Sequence, residues 1–295
     1  MLTRWNGRPL FMPFDTDTII RLLTGISLGG LLLAVGLRLT WREVREALSR
    51  IHIGWLLVVN FIAVPALTYF LVRALSVSSD YAAGMMLLAA APFAPVVPIF
   101  ARFAKADLAL AAGLTAVFPL AASFVTPLVC EAGLRALGGS AGVRFNPLVI
   151  LIVLMGTITL PVSLGVLVRH LLPKLARVAL RPLEILSEAA GAISLTFVTI
   201  VEFQTIAHTP LRALVAMVIA FELSLFAGYA ITAKSRDVRR VAALGTSNRN
   251  IALALLVAFQ SFPNSPIVGG VVANGLVLIG LGLVHVGWWR FAKSR

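Results

Sequence analysis

The chain has 295 residues, 59% of them hydrophobic and only 13% charged, with a mean hydropathy of +0.97. A soluble domain carries roughly 25% charged residues, so an ordinary soluble fold is excluded, and the apolar content excludes disorder. The charge is lopsided, 25 Lys+Arg against 12 Asp+Glu for a net +13. It falls in short clusters between long apolar runs, the pattern of a polytopic membrane protein and not of a nucleic-acid binder. The single cysteine, Cys130, forms no internal disulfide and reads as a packing residue.

A helix crossing the hydrocarbon core needs about 20 mostly apolar residues. In chain order the sequence predicts nine, at approximately 18–37, 53–74, 81–104, 108–130, 146–172, 183–205, 211–233, 238–262 and 266–291. They leave no room for a soluble domain, so one all-α integral-membrane unit over 1–295 is expected. Residues 1–17 show neither an apolar signal core nor a small-residue cleavage site, and the first span is expected to be retained.

Sorting the 25 basic residues by loop puts seventeen on one side, among them Arg38, Arg50, Arg102, Arg181, Arg240 and Arg290. Seven fall on the other side (Arg4, Arg8, Arg21, Arg73, Arg135, Arg144 and Arg212), and Arg249 alone lies inside a span. The richer side is expected to be cytoplasmic, giving an outside N-terminus and a cytoplasmic C-terminus in a cell membrane, inner or plasma. Trp41, Trp55, Trp288 and Trp289 fall at that same interface, where amphipathic rings favour the headgroup layer.

Two spans are interrupted. The third carries Pro92, Pro95 and Pro98, each lacking an N–H, so an unbroken helix is not expected. The eighth holds Gly245-Thr246-Ser247-Asn248-Arg249-Asn250 at mid-membrane depth. Irregular backbone at that depth must be buried in protein or line a cavity. Two broken helices five spans apart point to a transporter built from inverted repeats, with its site where they cross.

Arg249 has three readings: an anchor for an anionic substrate, a structural pair with Glu222 in span seven, or a side chain snorkelling to water. Arg249, Asn248 and Asn250, with Pro95 and Pro98 of the first break, form the candidate substrate group. The start of a half-helix adds unpaired N–H groups and positive dipole there. Glu222 has a second reading as a proton-coupling carboxylate. Glu188 and Glu202 are expected near opposite ends of span six, and His285 beside the interfacial tryptophans. No paired-acid signature, nucleotide loop or protease motif supports an enzyme.

Several segments resemble the bile acid:sodium symporter superfamily along essentially the whole chain: GLRLTWREVREAL, NFIAVPALTYF, APFAPVVPIFARFAKADLALAAGLTAVFPLAASFVTPLV and ALGTSNRNIALAL. The resemblance implies a panel (approximately 18–37, 146–172 and 183–205) and a core (approximately 53–130 and 211–291), with substrate bound between them. It implies a secondary transporter of a small or amphipathic organic anion, coupled to Na+, working by alternating access. No cofactor beyond Na+ or H+ as coupling ion is implied, and the partners expected are the anion and the lipid bilayer, in a monomer or weak homo-oligomer.

The ion positions depart from the family. Where its second crossing helix typically has Glu and Gln, this chain has Ala243 and Ser247; where the first has Ser-Asn, it has Val97-Pro98; and Ala111 with Thr115 replaces a Ser and Thr four apart. Asn60, Thr115, Thr246 and Ser247 remain as polar ion-coupling candidates beside Glu222. A non-transporting receptor, or a proton-coupled carrier or uniporter, is the alternative on the same fold.

Overall fold

The computed structural model describes residues 16–38, 40–138, 145–232, 234–263 and 265–291. Arg4, Arg8, Arg144 and the leader reading of residues 1–15 lie outside them, as does the side chain of Trp41. Among the described residues there is no strand. The helices are α1 (Thr16–Arg38), α2 (Trp41–Leu48), α3 (Ile53–Val58), α4 (Val64–Ala74), α5 (Ser79–Ala89), α6 (Val97–Phe103), α7 (Leu108–Ala136) and α8 (Pro147–Leu154), then α9 (Leu160–Leu171), α10 (Pro173–Val201), α11 (Phe203–Ala207), α12 (Leu211–Ala230), α13 (Arg236–Ser247), α14 (Ile251–Ser261) and α15 (Ile267–Phe291).

Eight candidate membrane spans result among the described residues, with α3–α4, α8–α9 and α13–α14 each counted as one. The ninth expected span is the broken pair α5 and α6, neither half long enough alone. This is an all-α membrane protein, as its composition demanded.

Span six departs from expectation. It begins at Pro173, directly after Leu172, so Lys174, Arg177 and Arg181 lie on the first turns of α10 and not in a loop. Hydropathy missed those turns because their basic residues mask an otherwise apolar helix.

Two spans bend through π-helical turns, Val59–Ala63 and Met155–Thr159. Each turn is followed two residues on by a proline, Pro65 or Pro161. A proline ring inside an α-helix collides with the carbonyl four residues back, and a widened turn relieves that collision.

The sequence of two spans, a broken span and a long closing span occurs over 16–136 and again over 173–291. Pro147–Leu171 crosses once between them, so equivalent elements lie an odd number of crossings apart and run inverted. α1 packs chiefly on α9 and α10, α13 on α12, and α15 on α5. Gly36 and Gly165 let the backbones of α1 and α9 approach closely: a methyl on Gly36 would lie 2.3 Å from the Val162 carbonyl oxygen. Without a water-driven hydrophobic term inside the bilayer, such small residues let helices associate by dispersion.

The surface stretch after α1 is the short helix α2, which hydropathy does not register. Thr40 and Glu43 form a reciprocal cap: the Thr40 N–H and hydroxyl donate to the Glu43 carboxylate at 2.7 and 2.8 Å, and the Glu43 N–H donates back to Thr40 Oγ1 at 3.3 Å. The backbone bond from Thr40, then the hydroxyl bond, holds the Glu43 carboxyl below the ordinary range.

Candidate functional site at the crossing of two broken helices

The first break is Ala90–Val96. Pro92 and Pro95 lie within it, whereas Pro98 sits in the opening turn of α6, where a missing N–H costs nothing. The second break is only Asn248, Arg249 and Asn250. Gly245, Thr246 and Ser247, expected to be irregular, remain helical at the end of α13. The two breaks touch. Ala94 N–H donates to the Asn248 carbonyl at 3.1 Å, and Asn250 N–H donates to the Ala91 carbonyl at 2.8 Å. Each break thereby satisfies backbone groups that its partner's interruption would leave bare.

A stacked pair of aromatics fixes their approach. Phe93 has φ +61, the left-handed region that a bulky residue rarely adopts. Its ring is fully buried, stacks on Phe118 at 4.7 Å, and fills the place a side chain at 245 would take. A methyl on Gly245 would lie 1.7 Å from the Phe93 ring, so glycine is required there. Thr126 adds a hydroxyl bond to the Ala90 carbonyl at 2.6 Å.

The asparagines of the second break are caps of opposite kind. Asn248 Nδ2 donates to the Leu244 carbonyl at 3.0 Å, closing α13, and Asn250 Oδ1 accepts from Leu253 N–H at 3.0 Å, opening α14. Arg249 is 5% exposed and stands between the negative end of one half-helix and the positive end of the other. Its Nη1 donates to the Asn60 carbonyl at 3.3 Å. That carbonyl is free because Val64 gives its N–H to Val59 across the π turn and Pro65 has none to give. Arg249 Nη2 and Asn250 Nδ2 are buried without a hydrogen-bond partner.

A crevice of about 420 Å³ opens beside this break, between α1 and α10 on one wall and the crossing on the other. Arg249, Asn248, Asn250 and Pro95 line it, along with Leu28, Phe100 and Leu195. It shares Leu31, Pro95, Ile99 and Glu188 with a second space of about 630 Å³, whose rim holds Arg38, Arg102 and Arg181 and whose wall includes Pro98 and Thr115. At the opposite end Arg21, on α1, donates to the Phe259 carbonyl of α14 at 2.9 Å. The crevice thus adjoins the basic-end space, and at the other end the Arg21 bond joins α1 to α14.

The predicted residues divide. Asn60 Nδ2 bonds Thr246 Oγ1 at 3.1 Å, and Ser247 lies close behind the break. Thr115 stands apart from them in the basic-end space, its hydroxyl bonded to the Ala111 carbonyl. Glu222 does not meet Arg249. Its carboxylate lies 3.3 Å from His285 Nε2 and is 42% exposed, because α12 turns that face outward. Glu188, expected near the interface, instead lines the crevice from the α10 wall. Glu184, four residues earlier, pairs with Arg38 and is nearly buried. The earlier start of α10, at Pro173, sets both carboxylates well inside the helix, and an i, i+4 pair of acids on one face was the available signal.

Two broken helices crossing among apolar spans, beside a crevice with a basic end, are the architecture seen in membrane carriers. A family model described as the sodium bile acid symporter family matches residues 25–220, two thirds of the chain. The chain belongs to that family. The match contains the first break and stops short of the second. No curated protein matches it.

Proposed function

We propose that the protein is a secondary transporter for an amphipathic organic anion. The observation that carries this is the buried, unpaired Nδ2 of Asn250 at the start of α14, on a residue that lines the crevice beside Arg249. The first-turn N–H groups of Ile251 and Ala252, both lining the crevice, have no helical acceptor and add to it. A carboxylate or sulfonate seats there, and its apolar body lies along Leu28, Leu31, Phe100 and Leu195. A volume of about 420 Å³ suits a drug-sized ligand.

α1, α8, α9 and α10 act as a panel and α3 to α7 with α12 to α15 as a core, and the two rock about the site. The basic end is cytoplasmic by the distribution of Arg and Lys, so the crevice faces inward.

The test is a thermal-shift screen of the purified protein with taurocholate, estrone sulfate and acetate, followed by flux in proteoliposomes. An anion is expected to raise the unfolding midpoint and to cross the vesicle membrane, and Arg249→Ala is expected to weaken its binding about 10–100-fold, the worth of one charge-assisted contact. Binding without flux would make the protein a receptor, and no response to any anion would overturn the reading.

A further inference from the structure

The family is described by sodium, yet the crossing lacks what that ion needs. A hard cation takes several oxygen ligands, usually with a carboxylate to balance its charge. Behind the second break is a cavity of about 20 Å³, lined by Thr68, Ser224, Ser247, Asn274 and Arg249 among apolar neighbours, and no carboxylate of the described residues lines it. The three hydroxyls donate to carbonyls of their own helices, at Val64, Ala220 and Ala243. Sodium does not fit this set, because a fixed positive charge already stands in its wall.

That charge is placed as a bound cation would be. The Asn60 carbonyl, freed by the π turn and Pro65, is the kind of unwound-helix oxygen that coordinates ions in broken-helix carriers. Here it accepts from Arg249 Nη1. Asn274 Oδ1 is a buried acceptor with no partner, and Arg249 Nη2 a buried donor with none. Both residues line the same cavity, whose volume admits about one water to bridge them.

We propose that the Arg249 guanidinium is a built-in cation that replaces a coupling sodium at the crossing, so that the protein works without sodium. A tethered guanidinium does not dissociate, and no ion gradient is drawn down at this position. The inference holds whatever is carried, and goes beyond the organic-anion reading.

The test needs no substrate. The full chain, purified in detergent, is unfolded thermally while choline is exchanged for sodium at constant ionic strength of about 0.15 M. No saturable rise in midpoint is expected for the natural protein. Arg249→Ala is expected to have a lower midpoint that about 10 mM guanidinium, far below denaturing concentration, restores in part. Arg249→Lys, which keeps a cation, is expected to remain sodium-insensitive. A saturable sodium-specific rise in the natural protein would overturn the proposal, as would an Arg249→Ala variant as stable as the parent and indifferent to guanidinium. If neither variant is recovered folded, the sodium titration of the natural protein decides. Because no organic anion is present, failure here is distinct from failure of the organic-anion reading.

Discussion

The two breaks reach one geometry by different chemistry. The first interrupts its helix with Pro92 and Pro95 and presents only small apolar residues and the ring of Phe93; it supplies shape. The second interrupts without proline, through two asparagines that cap opposite helix ends, and it supplies charge and hydrogen-bond donors. An inverted repeat places equivalent backbones face to face, but it does not require equivalent side chains. Here one arm is the mould and the other carries the polar groups.

The sharpest way to break that division is at the contact between the two arms. Gly245→Ala puts a methyl 1.7 Å from the Phe93 ring, which is held by its left-handed backbone and by Phe118. Overpacking of this kind costs about 1–3 kcal/mol or more, so the folded yield and unfolding midpoint are expected to drop clearly. Gly25→Ala, with nothing within 4 Å, is the control and is expected to be neutral or slightly stabilising in the same measurement.

A smaller effect separates capping from recognition at the second arm. Asn250→Ala removes the acceptor for Leu253 N–H and is expected to cost about 1 kcal/mol in thermal unfolding. Asn250→Asp keeps that acceptor but replaces the unpaired donor with negative charge. Its midpoint is expected to stay near that of the parent while the anion-induced shift disappears. An Asn250→Asp variant that keeps the full anion-induced shift would mean that Asn250 serves only as a cap.

The smallest effect lies outside the crossing, where the same capping chemistry carries no ligand. Thr40→Ala is expected to cost about 1 kcal/mol at neutral pH, read as a lowered midpoint. Glu43 has a depressed carboxyl in the folded state, so the contribution of its bonds is present above the unfolded value of about 4.3 and is lost as pH falls through the folded one. The gap between parent and variant is therefore expected to narrow below about pH 4.

The spans were legible because twenty apolar residues in a row have few other uses, and the breaks because prolines and an Asn-Arg-Asn run cannot continue a helix there. Helix faces were not legible. In a bilayer the lipid side and the packed side are both apolar, so periodicity carries little contrast, and the inward turn of Glu188 and the outward turn of Glu222 stayed hidden. Nor did the sequence show the free carbonyl of Asn60, which depends on a π turn, although Asn60 and Pro65 stand at the spacing that makes one. Thr40 and Glu43 stand at the spacing of a reciprocal cap, so the start of α2 carried a local signal that hydropathy does not register.

The reciprocal bonds between Ala94, Asn248, Asn250 and Ala91 carry a mechanical consequence. A junction stitched across both arms resists shear, so the two breaks are held as one block. Under the rocking proposed above, strain would fall on lighter fastenings at the rim, such as the Arg21 bond to the Phe259 carbonyl. The amide protons of Ala94 and Asn250 accordingly belong with the slowest to exchange in the molecule, whichever way the crevice opens.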